Sequence, residues 1–145
     1  MVTVSRTFTV SAPLDRVHAY LKDFANTVHW DPGTVQCVRT DQGPLQTGAQ
    51  WVNTSTFMGR TAVLNYTLDV LEPQRLIFHG VNEKARSEDD ISLEPEADAA
   101  STRLTYRAQL TFSGVLRVAS PLLRKPFERV ADQVVERMRT VLSDL

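Results

Sequence analysis

Apolar and polar residues alternate at the start of the chain, with Val2, Val4, Phe8 and Val10 on one parity of "VTVSRTFTV". Side chains that repeat every second residue share one face of an extended chain, so the pattern predicts a strand over 2–10. In "SAPLDRVHAYLKDF" the period changes: Leu14, Val17, Leu21 and Phe24 recur at helical spacing. Pro13 suits a first helical position and Asp15 a first turn. Asp23 suits the cap of a second short helix through His29, which Pro32 and Gly33 end. Strand patterns then run from Val35 to Phe112. "VQCVRT" leads through the turn-rich "DQGPLQTG" into "AQWVNTSTF", "MGR" reverses the chain into "TAVLNYTLDVL", and "EPQ" reverses it into "RLIFHGV". The acidic "NEKARSEDD" reads as a solvated loop, Asp89 and Asp90 included, before the short strand "ISLEP"; "EADAAS" then precedes "TRLTYRAQLTF". After Gly114 helical spacing returns. Ser120 and Pro121 mark a helix start and Pro126 a kink or restart, because an interior proline removes a helix hydrogen bond. From there Phe127, Val130, Ala131, Val134, Met138, Val141, Leu142 and Leu145 form one apolar stripe.

The order is therefore strand, two short helices, six strands, long helix. Strands joined by short reversals make an antiparallel meander with one buried face. The buried parity holds Ala62, Leu64, Tyr66, Leu68 and Val70 on one strand and Leu104, Tyr106, Ala108, Leu110 and Phe112 on another. Only the C-terminal helix is long and amphipathic enough to cover that face. A twisted sheet bends away from one straight helix along part of its length, leaving a cavity unless large side chains fill it. The predicted class is α+β, a helix-grip fold: a curved seven-stranded antiparallel sheet around a long C-terminal helix, with two short helices after the first strand, in one domain spanning 1–145.

Three motifs, "SAPLDRVHAYLKDF" followed by "HWDP", "STRLTY", and "GVLRVASPLL" ahead of the final helix, resemble the polyketide cyclase/dehydrase branch of the START-like (SRPBCC) superfamily. The likeness spans essentially the whole chain and departs at Ser101, where that family often carries glycine. It implies a pocket for an apolar small molecule between sheet and helix. Some members of such families cyclise or aromatise polyketides and others carry lipids or hormones, so the resemblance implies a pocket and not a reaction.

On this architecture the candidate ligand-binding residues sit on inward parities. They are Trp51, Asn53 and Phe57 on one strand, Leu64 and Tyr66 on the next, Phe78 and Tyr106 on later strands, and Phe127, Val134 and Met138 on the helix. Trp30 ends the second short helix and reads first as a core plug, second as a ligand contact. Asp31 reads as the cap of the Pro-Gly turn and His29 as a bystander. Asn53, Tyr66 and Tyr106 are the candidate polar recognition groups, an amide and two phenols among apolar walls. If the protein is an enzyme, the two phenols are the candidate proton donors. His79 shares a parity with Ile77 and Val81, away from Phe78.

Composition removes several function classes. Sixteen Lys and Arg balance seventeen Asp and Glu, so no global charge recruits nucleic acid or an anionic membrane. Residues 83–98 hold seven acids and two bases, and 115–145 hold six bases and four acids, the mark of a solvated loop and an ordinary helix surface. Cys37 is alone, so no disulfide framework exists, and it reads as a packed strand residue. His18, His29 and His79 are scattered without ligand spacing, no Gly-rich phosphate loop occurs, and no metal or organic cofactor is expected. The N-terminus lacks a signal-peptide core, and no apolar run reaches the ~20 residues of a membrane span. These features predict a cytoplasmic protein, monomeric or homodimeric, that binds a hydrophobic small molecule. A cyclase or aromatase using the same cavity, and an interaction module with a filled core, are the alternatives.

Overall fold

The computed structural model describes all 145 residues. Its seven strands are β1 (Val2–Val10), β2 (Thr34–Arg39), β3 (Gln50–Phe57), β4 (Arg60–Glu72), β5 (Arg75–Val81), β6 (Ala85–Pro95) and β7 (Thr102–Phe112). Four α-helical segments accompany them: α1 (Leu14–Leu21), α2 (Thr27–Trp30), α3 (Val115–Ala119) and α4 (Arg124–Ser143). The strands form one antiparallel sheet in the order β1-β7-β6-β5-β4-β3-β2, so the first strand returns to pair with the last. The helix-grip architecture read from the sequence is the one observed. No helix is long and apolar enough to cross a membrane.

The alternation that predicts the strands decides their inward faces. Val2, Val4, Phe8 and Val10 are buried, as are Trp51 and Asn53, Leu64, Tyr66 and Leu68, Leu76 and Phe78, and Leu104, Tyr106 and Ala108. The β3–β4 reversal is a two-residue turn in which Met58 (φ 52°) and Gly59 (φ 77°) both take the left-handed region, the geometry that matches strand twist. In β4 the register shifts between Leu68 and Val70. An extra residue in one strand inverts the parity beyond it, so Leu71, and not the expected Val70, packs against the core.

Five other expectations need correction. The acidic segment is not a loop: β6 begins at Ala85, and Asp89 is buried. Asp90 faces the other way and pairs with Arg75 at 2.8 Å. The period-two pattern of Ile91 and Leu93 continues backwards through Asp89 and Ser87, and polar residues at inward positions hide it. The C-terminal helical region starts earlier than Ser120, at α3 directly after Gly114, and passes through a 3-10 turn (Ser120–Leu123) into α4. Pro126 causes no break because it lies in the first turn of α4, where its missing N–H has no intrahelical partner to lose. The apolar stripe is covered at Ala131, Val134, Met138 and Leu142, whereas Val141 is half-buried and Leu145 exposed. Pro13 stands just before α1, its carbonyl accepting from the Arg16 and Val17 amides at 3.1 Å each.

The helix does not approach the sheet evenly. Among the strands, α4 packs most closely on β1, where Arg6 Nε meets Asp132 Oδ1 at 2.8 Å. The middle strands lie farther from it. A 3-10 turn at Phe24–Asn26, capped by Asp23 accepting from Ala25 N at 3.1 Å, brings Phe24 into the opposite part of the concavity. There its ring centroid lies 4.5 Å from that of Tyr66 and 4.4 Å from that of Phe78. Trp30 and Trp51 close around it at 6.2 and 6.0 Å. Large side chains thus fill part of the space that the sheet's curvature opens.

Candidate functional site

Burial along the inner face is not uniform. Leu76, Phe78, Ile91, Leu93 and Leu104 are completely buried, whereas Asn53, Leu64, Tyr66, Ser87, Asp89, Tyr106 and Ala108 retain 4–8% of their surface. An inward side chain that keeps surface borders space a water-sized sphere enters. These residues form one patch on β3, β4, β6 and β7, since Asn53 pairs with Leu64 and Asp89 with Ala108, while Tyr66 and Ser87 both pair with Gly80 between them. Ser87 and Ala108 are small and lie on strands from which α4 stands away.

Gly80 also aims Tyr66. A Cβ at position 80 would lie 2.5 Å from Tyr66 Cζ, so the ring lies flat over the glycine and its hydroxyl reaches towards Ser87 on β6. Gly80→Ala is expected to displace that ring and cost about 1–3 kcal/mol of stability in a denaturant titration. An unchanged midpoint would show that the ring relocates freely.

Asp89 is the group the sequence reading missed. It lies on the inward parity of β6, and the Tyr106 hydroxyl donates to its Oδ1 at 3.0 Å. Burial raises its pKa to about 7, the nearby Asp31 charge adds to the effect, and the Tyr106 hydrogen bond opposes it. Burial, reinforced by the Asp89 charge, holds the Tyr66 and Tyr106 phenols well above their ordinary range, so both remain protonated donors at neutral pH. Trp30 is 1% exposed and packs almost perpendicular to Tyr106 at 5.9 Å between ring centroids. Its Nε1–H is buried without a hydrogen-bond partner. The Asp89 carboxyl on β6 and the Tyr106 hydroxyl on β7 therefore meet, with the Trp30 ring of α2 packed against Tyr106.

The other sequence-predicted residues divide by position. Asn53 Nδ2 donates to Thr27 Oγ1 at 3.4 Å and to Thr34 Oγ1 at 3.3 Å, so this amide ties β3 to α2 and β2. Trp51 and Phe78 lie in the aromatic stack around Phe24, and Trp51 Nε1 donates to Asp23 Oδ1 at 3.2 Å. Val134 and Met138 are buried on α4. Phe57 and Phe127 are half-buried and meet nearly at right angles, 6.2 Å apart, bridging the end of β3 to the start of α4. Asp31 caps the Pro-Gly turn as expected, accepting from Gly33 N at 2.9 Å and Thr34 Oγ1 at 2.8 Å. Burial nevertheless raises its pKa, against those two bonds and the Arg137 charge. No group of three His, Cys, Asp or Glu side chains is placed to hold a metal ion. Two open surface recesses, of about 450 and 530 Å³, lie elsewhere, beside Phe112 and Arg117 and beside Tyr20 and Leu45.

Residues 1–143 match the family described as polyketide cyclase/dehydrase and lipid transport. The chain belongs to that family. A START superfamily protein from Mycobacterium smegmatis superposes on this family member with a TM-score of 0.80 at 16% identity, over 98% of this chain and 97% of the other. The Zhui aromatase/cyclase from Streptomyces sp. R1128 gives 0.74 at 16% identity, over 98% and 91%. A protein from Thermus thermophilus gives 0.73 at 18%, over 98% and 94%. Identities this low establish the shared fold alone. No curated protein matches the sequence significantly.

Proposed function

We propose that this protein, acting as one domain, binds an apolar small molecule in the space between the inner faces of β3–β7 and helix α4. The observation that carries this reading is the inner-face patch itself. Inward side chains there keep surface, and a buried indole N–H without a partner lies among apolar walls. Ligand sites have this make-up, mostly apolar with a few placed polar groups. Native mass spectrometry of the purified chain is expected to show a co-purifying apolar molecule, or one-to-one uptake of the neutral dye Nile red with a blue-shifted emission. Absence of both results would favour the filled-core interaction module instead.

A second reading, a cyclase or aromatase, is favoured by Asp89. An enzyme of that kind needs a titratable group inside the pocket, and a buried carboxyl with a pKa of about 7 beside a phenol donor suits acid–base work near neutrality. It predicts that Asp89→Asn retains ligand but loses turnover.

A further inference from the structure

We propose that Asp89, Tyr106 and Trp30 form a recognition site for an uncharged ligand bearing a hydroxyl, and that this site rejects carboxylates such as free fatty acids. The inference rests on the apolar-ligand reading above and specifies the ligand's polar end.

Three observations support it. Tyr106 is the one side chain that hydrogen-bonds the Asp89 carboxyl, through Oδ1, so acceptor capacity remains on a group that retains 6% of its surface. A ligand hydroxyl donates to that capacity. The Trp30 indole is a donor only, and it is buried without a partner. An oxygen lone pair from the same ligand hydroxyl, or from a neighbouring carbonyl, satisfies it. The third observation is charge. Asp31 and Glu88, both acidic, act on Asp89, and the neutral Tyr106 phenol is its hydrogen-bond partner. Arg137 of α4 acts on Asp31. A ligand carboxylate brought here meets the Asp89 and Asp31 carboxyls in surroundings where water screens little. An alcohol or phenol brings a proton that the Asp89 carboxyl accepts.

The test pairs two probes of equal ring size, 2-naphthol and 2-naphthoate, titrated into the full chain with calorimetric detection. Near pH 8 the wild type is expected to bind 2-naphthol at least about tenfold more tightly, the worth of one hydrogen bond to a charged group. Asp89→Asn is expected to bring the two affinities within about threefold. A readout needing no variant is the preference of the wild type from about pH 5.5 to 8, which rises as Asp89 ionises while naphthoate stays charged and naphthol neutral. Equal binding of both probes, with no change in the variant or with pH, overturns this inference and leaves the apolar-ligand reading standing. Failure of both probes and of Nile red to bind overturns that reading as well.

Discussion

Phe24→Ala is expected to destabilise the protein by about 3–5 kcal/mol, the usual cost of removing a buried phenylalanine ring. The ring is 2% exposed and sits between Tyr66 and Phe78, with Trp30 and Trp51 flanking it. Its backbone lies in a 3-10 turn held between α1 and α2, so the neighbours cannot collapse into the hole without breaking the Asp23 cap and the Trp51–Asp23 bond. Typical domains have ~5–15 kcal/mol in all, so the loss takes a large share. Urea unfolding followed by tryptophan emission reads both stability and the environment of the two indoles. Phe57→Ala, at the half-buried rim, serves as the comparison and is expected to cost clearly less. A Phe24→Ala loss no greater than that of Phe57→Ala would show that the stack is not a packed core.

The fold was legible because hydrophobic period reports directly on which face is buried. Strand β7 reads cleanly, with Leu104, Tyr106 and Ala108 all inward, and so does the central stretch of α4. Strand β6 fails for a definite reason. Its inward positions 87 and 89 are serine and aspartate, and in sequence a buried carboxyl looks like a solvated one. The only usable signal is parity: Ser87 and Asp89 continue the run of Ile91 and Leu93. Site geometry was less legible still. Asn53 shares its parity with Trp51, yet nothing in the sequence says that Thr27 and Thr34 take its amide protons. The bulge in β4 moves packing from Val70 to Leu71, and a one-residue register shift leaves no mark on composition. The orphaned Trp30 N–H depends on the angle at which α2 meets β7, a tertiary quantity. Propensity and period thus locate elements, and the proposed binding role rests on the few inward positions that break the pattern.

Those pattern-breaking positions carry a cost that pH should reveal. Asp89→Asn is expected to stabilise the protein by up to about 4 kcal/mol near pH 8, with the gain disappearing below about pH 4. The sign follows from burial. The folded-state pKa of about 7 lies above the ordinary carboxylate value, so at intermediate pH the unfolded chain has released a proton that the folded protein still holds. Stability contributed at this site therefore falls as pH rises from about 4 to about 7, then stays level once both states are ionised. Asparagine has no proton to lose, and its side-chain oxygen still accepts from Tyr106. Asp31 acts in the same direction, because burial raises its pKa too. Asp41, held at about 2 by Arg39 and the Gln50 amide, acts in the opposite one. The wild-type profile alone mixes these contributions, so the informative quantity is the difference between variant and wild type from urea unfolding at several pH values. That difference should grow steadily between about pH 4 and 7. A difference that stays flat would mean that Asp89 is solvated in the folded protein, and the inner-face patch would then lose the buried carboxyl on which the proposed selectivity rests.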